Sequence, residues 1–121
     1  MSPESTSALS VSSGSHGDAV VVRAVGDLDY DYAPVFRRQL AELWTAPPTP
    51  APRLVVDLSG LTFCDSTGLA ELLWVLQRSG ETGTRLVLAG ANRTLRHMLA
   101  TTGLLAFFEL ADSVEDALER P

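Results

Sequence analysis

The chain has 121 residues, of which 45% are hydrophobic, and this predicts a single domain able to bury a core of its own. Its formal net charge of −6 argues against nucleic acid as a direct partner, because phosphate backbones are bound by clustered positive charge. All nine basic residues are arginine, and the absence of lysine excludes the P-loop lysine, the Schiff-base lysine and the usual polybasic membrane anchor.

The first 17 residues contain seven serines together with Gly14 and Gly17. They predict a flexible leader in which Ala8–Val11 pairs weakly as an edge strand, and the domain itself is expected over residues 18–121. No signal segment is visible and no apolar run reaches about 18 residues, so we expect a cytoplasmic protein without membrane insertion. The single cysteine, Cys64, fits a reducing compartment.

A strand, a helix and a connector are predicted in the next part of the chain. Ala19–Val25 is apolar and rich in β-branched residues, which indicates a strand, and Gly26 is expected to end it. Apolar residues at helical spacing then predict a helix over Tyr32–Trp44. The proline-rich segment Pro47–Pro52 cannot continue a helix and is interpreted as a stiff surface connector.

The pattern in the middle of the chain is a buried strand, a short loop and a helix. Arg53–Leu58 contains a short β-branched run that predicts the strand, and Ser59-Gly60 is expected to interrupt it. From Leu69 onward, leucines recur at i, i+3, i+4 and i+7, which is one face of a helix that ends near Gly80 and Gly83. Three side chains are able to cap its first turn: Asp65, Ser66 and Thr67.

Two further strands and two short helices are predicted after this helix. The strands are Arg85–Ala89 and Phe107–Leu110. Between them lies a helix capped by Asn92 or Thr94, and a last helix with a capping pattern begins at Ser113.

Strands that alternate with helices predict one α/β domain with a central, mostly parallel mixed sheet of four or five strands and about four helices. In consecutive right-handed βαβ units, each strand-to-helix loop emerges at the carboxyl edge of the sheet. Three loops, Asp27–Asp31, Cys64–Thr67 and Gly90–Asn92, are therefore expected to converge there, with Ser66 near the middle.

Two motifs in this order carry a resemblance to a known family. Asp65-Ser66-Thr67-Gly68-Leu69-Ala70 resembles the Asp-Ser-(Ser/Thr)-Gly-Leu-Gly signature of the STAS family, the domain of bacterial anti-sigma factor antagonists, with Ala70 where many members have glycine. Gly26-Asp27-Leu28-Asp29 is similar to a second family motif, Gly-(Glu/Asp)-Leu-Asp. The resemblance covers roughly Ala19 to the C-terminus and implies a single STAS-like domain.

The resemblance also implies site residues. In STAS antagonists the serine after the aspartate accepts phosphate, which implies Ser66 as the acceptor and Thr67 as the less favoured one. A helix N-terminus suits a phosphate, because its unpaired N–H groups and its dipole favour negative charge. On local spacing alone, however, a plain helix cap is the favoured explanation of these residues. The partner-binding surface implied around the acceptor comprises Asp27, Asp29, Asp65, Ser66, Thr67, Gly68, Asn92 and Arg93.

Individual roles on this surface are interpreted as follows. Asp65 orients the loop or aligns the hydroxyl, and Gly68 lets a partner approach the backbone closely. Asp29 either caps the helix that follows or contacts the partner. Asp27 is expected to be solvated charge, and Arg93 is either a contact at the rim of the interface or without a role.

The function implied by the resemblance is a switch between two binding states. The unphosphorylated chain binds an anti-sigma factor of the serine kinase type and releases a sigma factor, and phosphorylation at Ser66 ends the binding. The kinase supplies ATP and Mg²⁺, so no cofactor or metal site is expected in this chain, and a separate phosphatase resets it. The alternative is a non-phosphorylated STAS subunit of a scaffold or transporter complex.

Catalysis by this chain itself is not expected. A serine hydrolase needs a base within reach of its nucleophile, yet there is no Gly-x-Ser-x-Gly elbow, and His16 lies in the predicted leader. No dinucleotide-binding fingerprint follows any predicted strand. His97, beside Met98 and Leu99, is interpreted as a packed or half-exposed residue.

Overall fold

The computed structural model describes residues 8–45 and 51–121, which form a five-stranded sheet in the order β1-β2-β3-β4-β5. β1 runs antiparallel to β2, and the other three pairs are parallel. This confirms the predicted α/β class with a mostly parallel mixed sheet. The strands are β1 (Ser10–His16), β2 (Ala19–Leu28), β3 (Arg53–Cys64), β4 (Arg85–Ala89) and β5 (Glu109–Ala111).

Four α-helices in the described part of the chain cover the two faces of the sheet. They are α1 (Ala33–Glu42), α2 (Ser66–Thr82), α3 (Arg93–Thr101) and α4 (Val114–Glu119), with a single 3₁₀ turn at Leu105–Phe107. The first three bury Phe36, Leu72 and Leu99 in the larger core, together with alternate residues of the strands. α4 packs Ala117 against Val55 and neighbouring strand residues on the opposite face.

β1 differs from the prediction in both length and position. Where a weak strand over Ala8–Val11 within a flexible leader was expected, Ser10–His16 pairs along its whole length with β2. The reason is a two-residue hairpin loop, Gly17-Asp18, in which only the glycine has a positive φ, of 60°, as in a type II′ turn. That turn aligns the serine-rich segment with an apolar strand. Residues 1–7 lie outside the described part.

β2 and β3 also continue beyond their predicted ends. Neither Gly26 nor Ser59-Gly60 stops its strand, because the β2–β3 pairing shifts register twice, between Arg23 and Val25 and between Gly26 and Asp27. Such irregularities let paired strands bend without separating. The two strands therefore stay paired as far as Leu28 opposite Cys64, which brings the loops that follow them together.

The remaining elements lie close to their predicted positions. β4 has the predicted bounds, and α2 ends at Gly83 with a φ of 73°, the left-handed conformation that suits a glycine C-cap. β5 begins two residues later than predicted, because Phe107 belongs to the 3₁₀ turn. Of the connector Pro47–Pro52, residues 47–50 lie outside the described part. No helix within residues 8–45 and 51–121 has the length and apolar character needed to cross a membrane.

Candidate functional site

The loops after β2 and β3 are joined at the carboxyl edge of the sheet by the carboxylate of Asp65. Its Oδ2 accepts a hydrogen bond from the backbone N–H of Tyr30 at 3.1 Å, and the Asp65 N–H donates to the carbonyl of Leu28 at 3.4 Å. The third loop lies beside them, since Asn92 and Cys64 line the same groove. The predicted convergence of these loops is therefore present in the structure.

Asp65 is also the residue that caps α2. Its backbone is extended, with φ −101° and ψ −170°, and its Oδ1 accepts from the N–H of Gly68 at 2.9 Å. Of the three candidate caps, the aspartate therefore takes the role, and Ser66 becomes the first residue of the helix. One carboxylate thus satisfies an unpaired N–H of the helix and also holds the neighbouring loop.

Ser66 is exposed, and Thr67 is half-buried. Within the described residues, no hydrogen bond engages the Ser66 hydroxyl, because the capping function belongs to its neighbour. The hydroxyl stands at the N-terminus of a seventeen-residue helix, where the positive end of the helix dipole stabilises negative charge. Ser66 is therefore the more accessible of the two hydroxyls.

Gly68 faces the protein interior, which differs from the expected role of letting a partner approach. The residue is buried, and a Cβ at this position would overlap the carbonyl oxygen of Leu28 and lie 2.8 Å from the sulfur of Cys64. The glycine is needed because α2 begins directly against the end of β2. It contributes to the site by allowing this contact between helix and strand.

Asp27 is buried, and the expectation of solvated charge is wrong. Only 6% of the residue is exposed, and its Oδ1 accepts a hydrogen bond from the Thr62 hydroxyl at 2.5 Å. The extension of β2 through Gly26 carries the aspartate into the sheet, opposite Phe63. Its side chain thus links the ends of β2 and β3.

Asp29 is half-buried and orders the turn that precedes α1. Its Oδ1 accepts from the N–H of Tyr32 at 3.0 Å, and its carbonyl accepts from the N–H of Ala33 at 2.8 Å. Of the two predicted roles of Asp29, the structure is closer to the helix cap than to a contact with a partner, because the side chain is engaged in this turn. The N-cap residue of α1 is, however, Tyr32.

Asn92 and Arg93 bound the opposite side of the site. The Asn92 side chain caps α3 by accepting from the N–H of Leu95 at 2.8 Å, and both residues are exposed. Arg93 forms no ion pair within the described residues, so its charge is available at the surface. A groove of about 180 Å³ lies between β3 and α3 and is lined by Leu61, Thr62, Phe63, Cys64, Asn92, Thr94, Leu95 and Met98.

Comparison with known protein families matches residues 11–117 to the STAS domain. The chain belongs to the STAS domain family. Among solved structures, an anti-sigma factor antagonist from Mycobacterium paratuberculosis is similar, with 27% identity, 92% of each chain covered and a TM-score of 0.79.

Two more distant solved structures share the fold. The Bacillus cell fate determinant SpoIIAA in its phosphorylated form has 20% identity over 93% of this chain and 98% of its own, with a TM-score of 0.70. A sulfate transporter family protein from Wolinella succinogenes has 16% identity over 85% and 84%, with a TM-score of 0.73. The fold therefore occurs in both antagonists and transporters.

Two exposed aromatic side chains of this STAS domain were missed by the sequence analysis. Tyr30 is 77% exposed in the loop after β2, and Phe63 is 53% exposed near the end of β3. The exposed position of Phe63 on β3 was missed because β3 was expected to end at Leu58. The signal available for Tyr30 was its position between Asp29 and Asp31, where an apolar ring has no helical or strand face to join.

Cys64 is half-buried between the groove and Gly68. Burial, and then the nearby charge of Asp65, raise the pKa of its thiol from 9.0 to about 12. The thiol is therefore protonated at neutral pH, which disfavours nucleophilic or redox chemistry. No group of three or more His, Cys, Asp or Glu residues in the described part is arranged to hold a metal ion.

Proposed function

We propose that this STAS domain is an anti-sigma factor antagonist that phosphorylation at Ser66 switches off. The observation that carries the proposal is the exposed Ser66 hydroxyl, unoccupied by the capping interaction, at the N-terminus of α2. The likeness to the mycobacterial anti-sigma factor antagonist supports the same assignment. In the unphosphorylated state the surface around Ser66 binds an anti-sigma factor, which then releases its sigma factor.

The switch rests on charge at a surface that must be desolvated. A phosphoserine carries about −1.5 to −2 charges. Within the domain the start of α2 tolerates this charge, so phosphorylation requires no refolding. At an interface the phosphate adds bulk and a desolvation cost beside the carboxylate of Asp65. A loss of about 2.7 kcal/mol in binding already weakens a complex about a hundredfold.

The chemistry of phosphorylation is assigned to the partner. We expect a serine kinase of the anti-sigma type to supply ATP, Mg²⁺ and the transfer machinery, while this chain presents a positioned hydroxyl. A lysine for nucleotide phosphates is absent from the sequence. A separate phosphatase is proposed to remove the phosphate and restore binding, and no catalytic role is assigned to this domain.

The test compares variants against a purified ATP-binding anti-sigma factor kinase from the same organism. Ser66→Ala is expected to bind as wild type and to resist phosphorylation, and Ser66→Asp is expected to bind at least tenfold more weakly. Ser13→Asp, an exposed serine on β1, adds the same charge away from the site and is expected to bind normally. Mass spectrometry after ATP addition should find about 80 Da added at Ser66.

Three outcomes contradict the proposal. Equal binding by wild type, Ser66→Ala and Ser66→Asp would show that negative charge at Ser66 does not control binding. A mass increase that Thr67→Val abolishes would show that Thr67, and not Ser66, accepts the phosphate. A stable complex with a transporter or scaffold protein and no phosphate under any growth condition would favour the alternative function, for which the Wolinella structure supplies the shared fold.

A further inference from the structure

Two of the most exposed aromatic side chains in the described chain lie at the same edge of the sheet as Ser66. Tyr30 and Phe63 are 77% and 53% exposed, and only Phe107, in the 3₁₀ turn before β5, is comparable at 67%. Most large apolar residues of the described chain are buried in the core of the domain. Tyr30 and Phe63 are not part of that core. Exposed aromatic residues beside a modifiable hydroxyl indicate a surface that a partner covers.

The backbone of both rings is held in place. The N–H of Tyr30 is bonded to Asp65, and Phe63 is paired in β3 with Asp27, itself buried and bonded to Thr62. An aromatic side chain on a fixed backbone has only two side-chain torsions to order when it binds. It therefore loses little entropy for the apolar area that it brings to an interface.

The two rings come from neighbouring strands at the edge of the sheet that also carries Ser66. Tyr30 follows β2, on the side of α1, whereas Phe63 lines the groove that β3 forms with α3. The groove also contains the apolar side chains of Leu61, Leu95 and Met98. The site thus offers one projecting ring, the acceptor hydroxyl, and a second ring beside an apolar depression.

We propose that Tyr30 and Phe63 are the two aromatic anchors by which this domain binds the anti-sigma factor kinase, an inference that rests on the proposed function. The partner surface is apolar, with one pocket for Tyr30 and one apolar side chain that enters the groove beside Phe63. Beside Tyr30 its rim carries arginine or lysine, because Asp31 is exposed in the same loop as Tyr30 and the whole chain has a net charge of −6.

The test measures dissociation constants by titration calorimetry with the purified kinase-type anti-sigma factor. Tyr30→Ala and Phe63→Ala are each expected to weaken binding at least tenfold. Phe107→Ala is the matched control, because it removes an equally exposed ring from a different part of the domain, and it is expected to bind within twofold of wild type. Neither Tyr30 nor Phe63 belongs to the buried core, so both alanine variants are expected to remain folded. Thermal unfolding of each variant checks this.

The outcomes separate the inference from the function on which it rests. If wild type binds the kinase and is phosphorylated but Tyr30→Ala and Phe63→Ala bind equally well, the two rings are not anchors. The proposed phosphorylation switch at Ser66 is then unaffected. If Phe107→Ala weakens binding as much as the other two, the proposed face is wrong. If wild type binds no kinase of this type, the proposed function fails first.

Discussion

The carboxylate of Asp65 holds the backbone of Tyr30, with 3.1 Å between its Oδ2 and the Tyr30 nitrogen, while its Oδ1 caps α2 at Gly68. Two readings of the Asp65-Ser66-Thr67 motif, as a helix cap and as a functional site, are therefore compatible. Because the aspartate performs the capping, the serine hydroxyl is left exposed at the start of the helix. The bond from Tyr30 to Asp65 also joins the loop that carries Tyr30 to the start of α2, where Ser66 lies.

Asp65→Ala is expected to lower the free energy of unfolding by about 0.5–2 kcal/mol, the range for loss of an N-cap. It should also release the Tyr30 loop, because the N–H of Tyr30 loses its acceptor. Urea unfolding measures the first effect, and amide hydrogen exchange at Tyr30 measures the second.

Asn92→Ala is the matched control for Asp65→Ala, since Asn92 caps α3 and makes no bond to the Tyr30 loop. It is expected to cost a similar amount of stability and to leave exchange at Tyr30 unchanged. Equal exchange rates at Tyr30 in wild type and Asp65→Ala would show that the loop is held by other contacts.

Gly68→Ala is expected to destabilise the domain by about 1–3 kcal/mol, the usual cost of forcing extra atoms into a packed interior. The added Cβ would overlap the Leu28 carbonyl oxygen, so α2 or the end of β2 has to move. Chemical denaturation of the purified variant measures the loss.

Gly80→Ala in the same helix provides the opposite expectation. A Cβ at Gly80 meets nothing within 4 Å, and alanine is the better helix former by up to about 1 kcal/mol. Gly80→Ala should therefore be as stable as wild type or more so. If Gly68→Ala were equally well tolerated, the close approach of α2 to β2 would not constrain this position.

The order of strands and helices was predictable because each element has a strong local signal. The apolar period of α2, the glycine that ends it and the short run Arg85–Ala89 depend on neighbours in sequence, and the structure agrees with all three. The topology rule for parallel strands was enough to bring Asp65, Ser66 and Asn92 to one edge.

The parts that were missed depend on contacts between distant residues. The register shifts that carry β2 past Gly26 involve pairing with β3, so the burial of Asp27 leaves no mark in the local sequence. Gly68 was interpreted as a point of close approach for a partner. The residue that it contacts, Leu28, is forty residues earlier in the chain, so the local sequence does not show the contact. The exposure of Phe63 follows from the same unpredicted extension of β3.

Cys64 is expected to react slowly with thiol reagents in the folded domain. With a pKa of about 12, only about one molecule in ten thousand carries the thiolate at pH 8. Titration with a chromogenic disulfide should give slow labelling that becomes fast in denaturant. Fast labelling of the native protein would show that burial does not protect the thiol.

The carboxylate of Glu109 makes stability depend on pH through its two arginine partners. Arg85 donates from Nε and Nη2, at 2.9 and 2.6 Å, and Arg120 donates from Nη1 at 3.2 Å. These hydrogen bonds, that of Arg85 above all, lower the pKa of Glu109 below its ordinary value of 4.5. A lowered pKa means that the unfolded chain takes up the proton first as the pH falls.

Glu109→Gln tests this dependence. The stabilisation from the ionised carboxylate is fully present above about pH 4.5 and is lost as the pH falls through the lower pKa of the folded state. Urea unfolding at several pH values should therefore find wild type more stable than Glu109→Gln near neutrality, with the difference vanishing in acid. Glu119→Gln, an exposed carboxylate for which no ion pair occurs in the described part, should show no such convergence. A constant difference between wild type and Glu109→Gln at all pH values would mean that lost packing, and not charge, accounts for the effect.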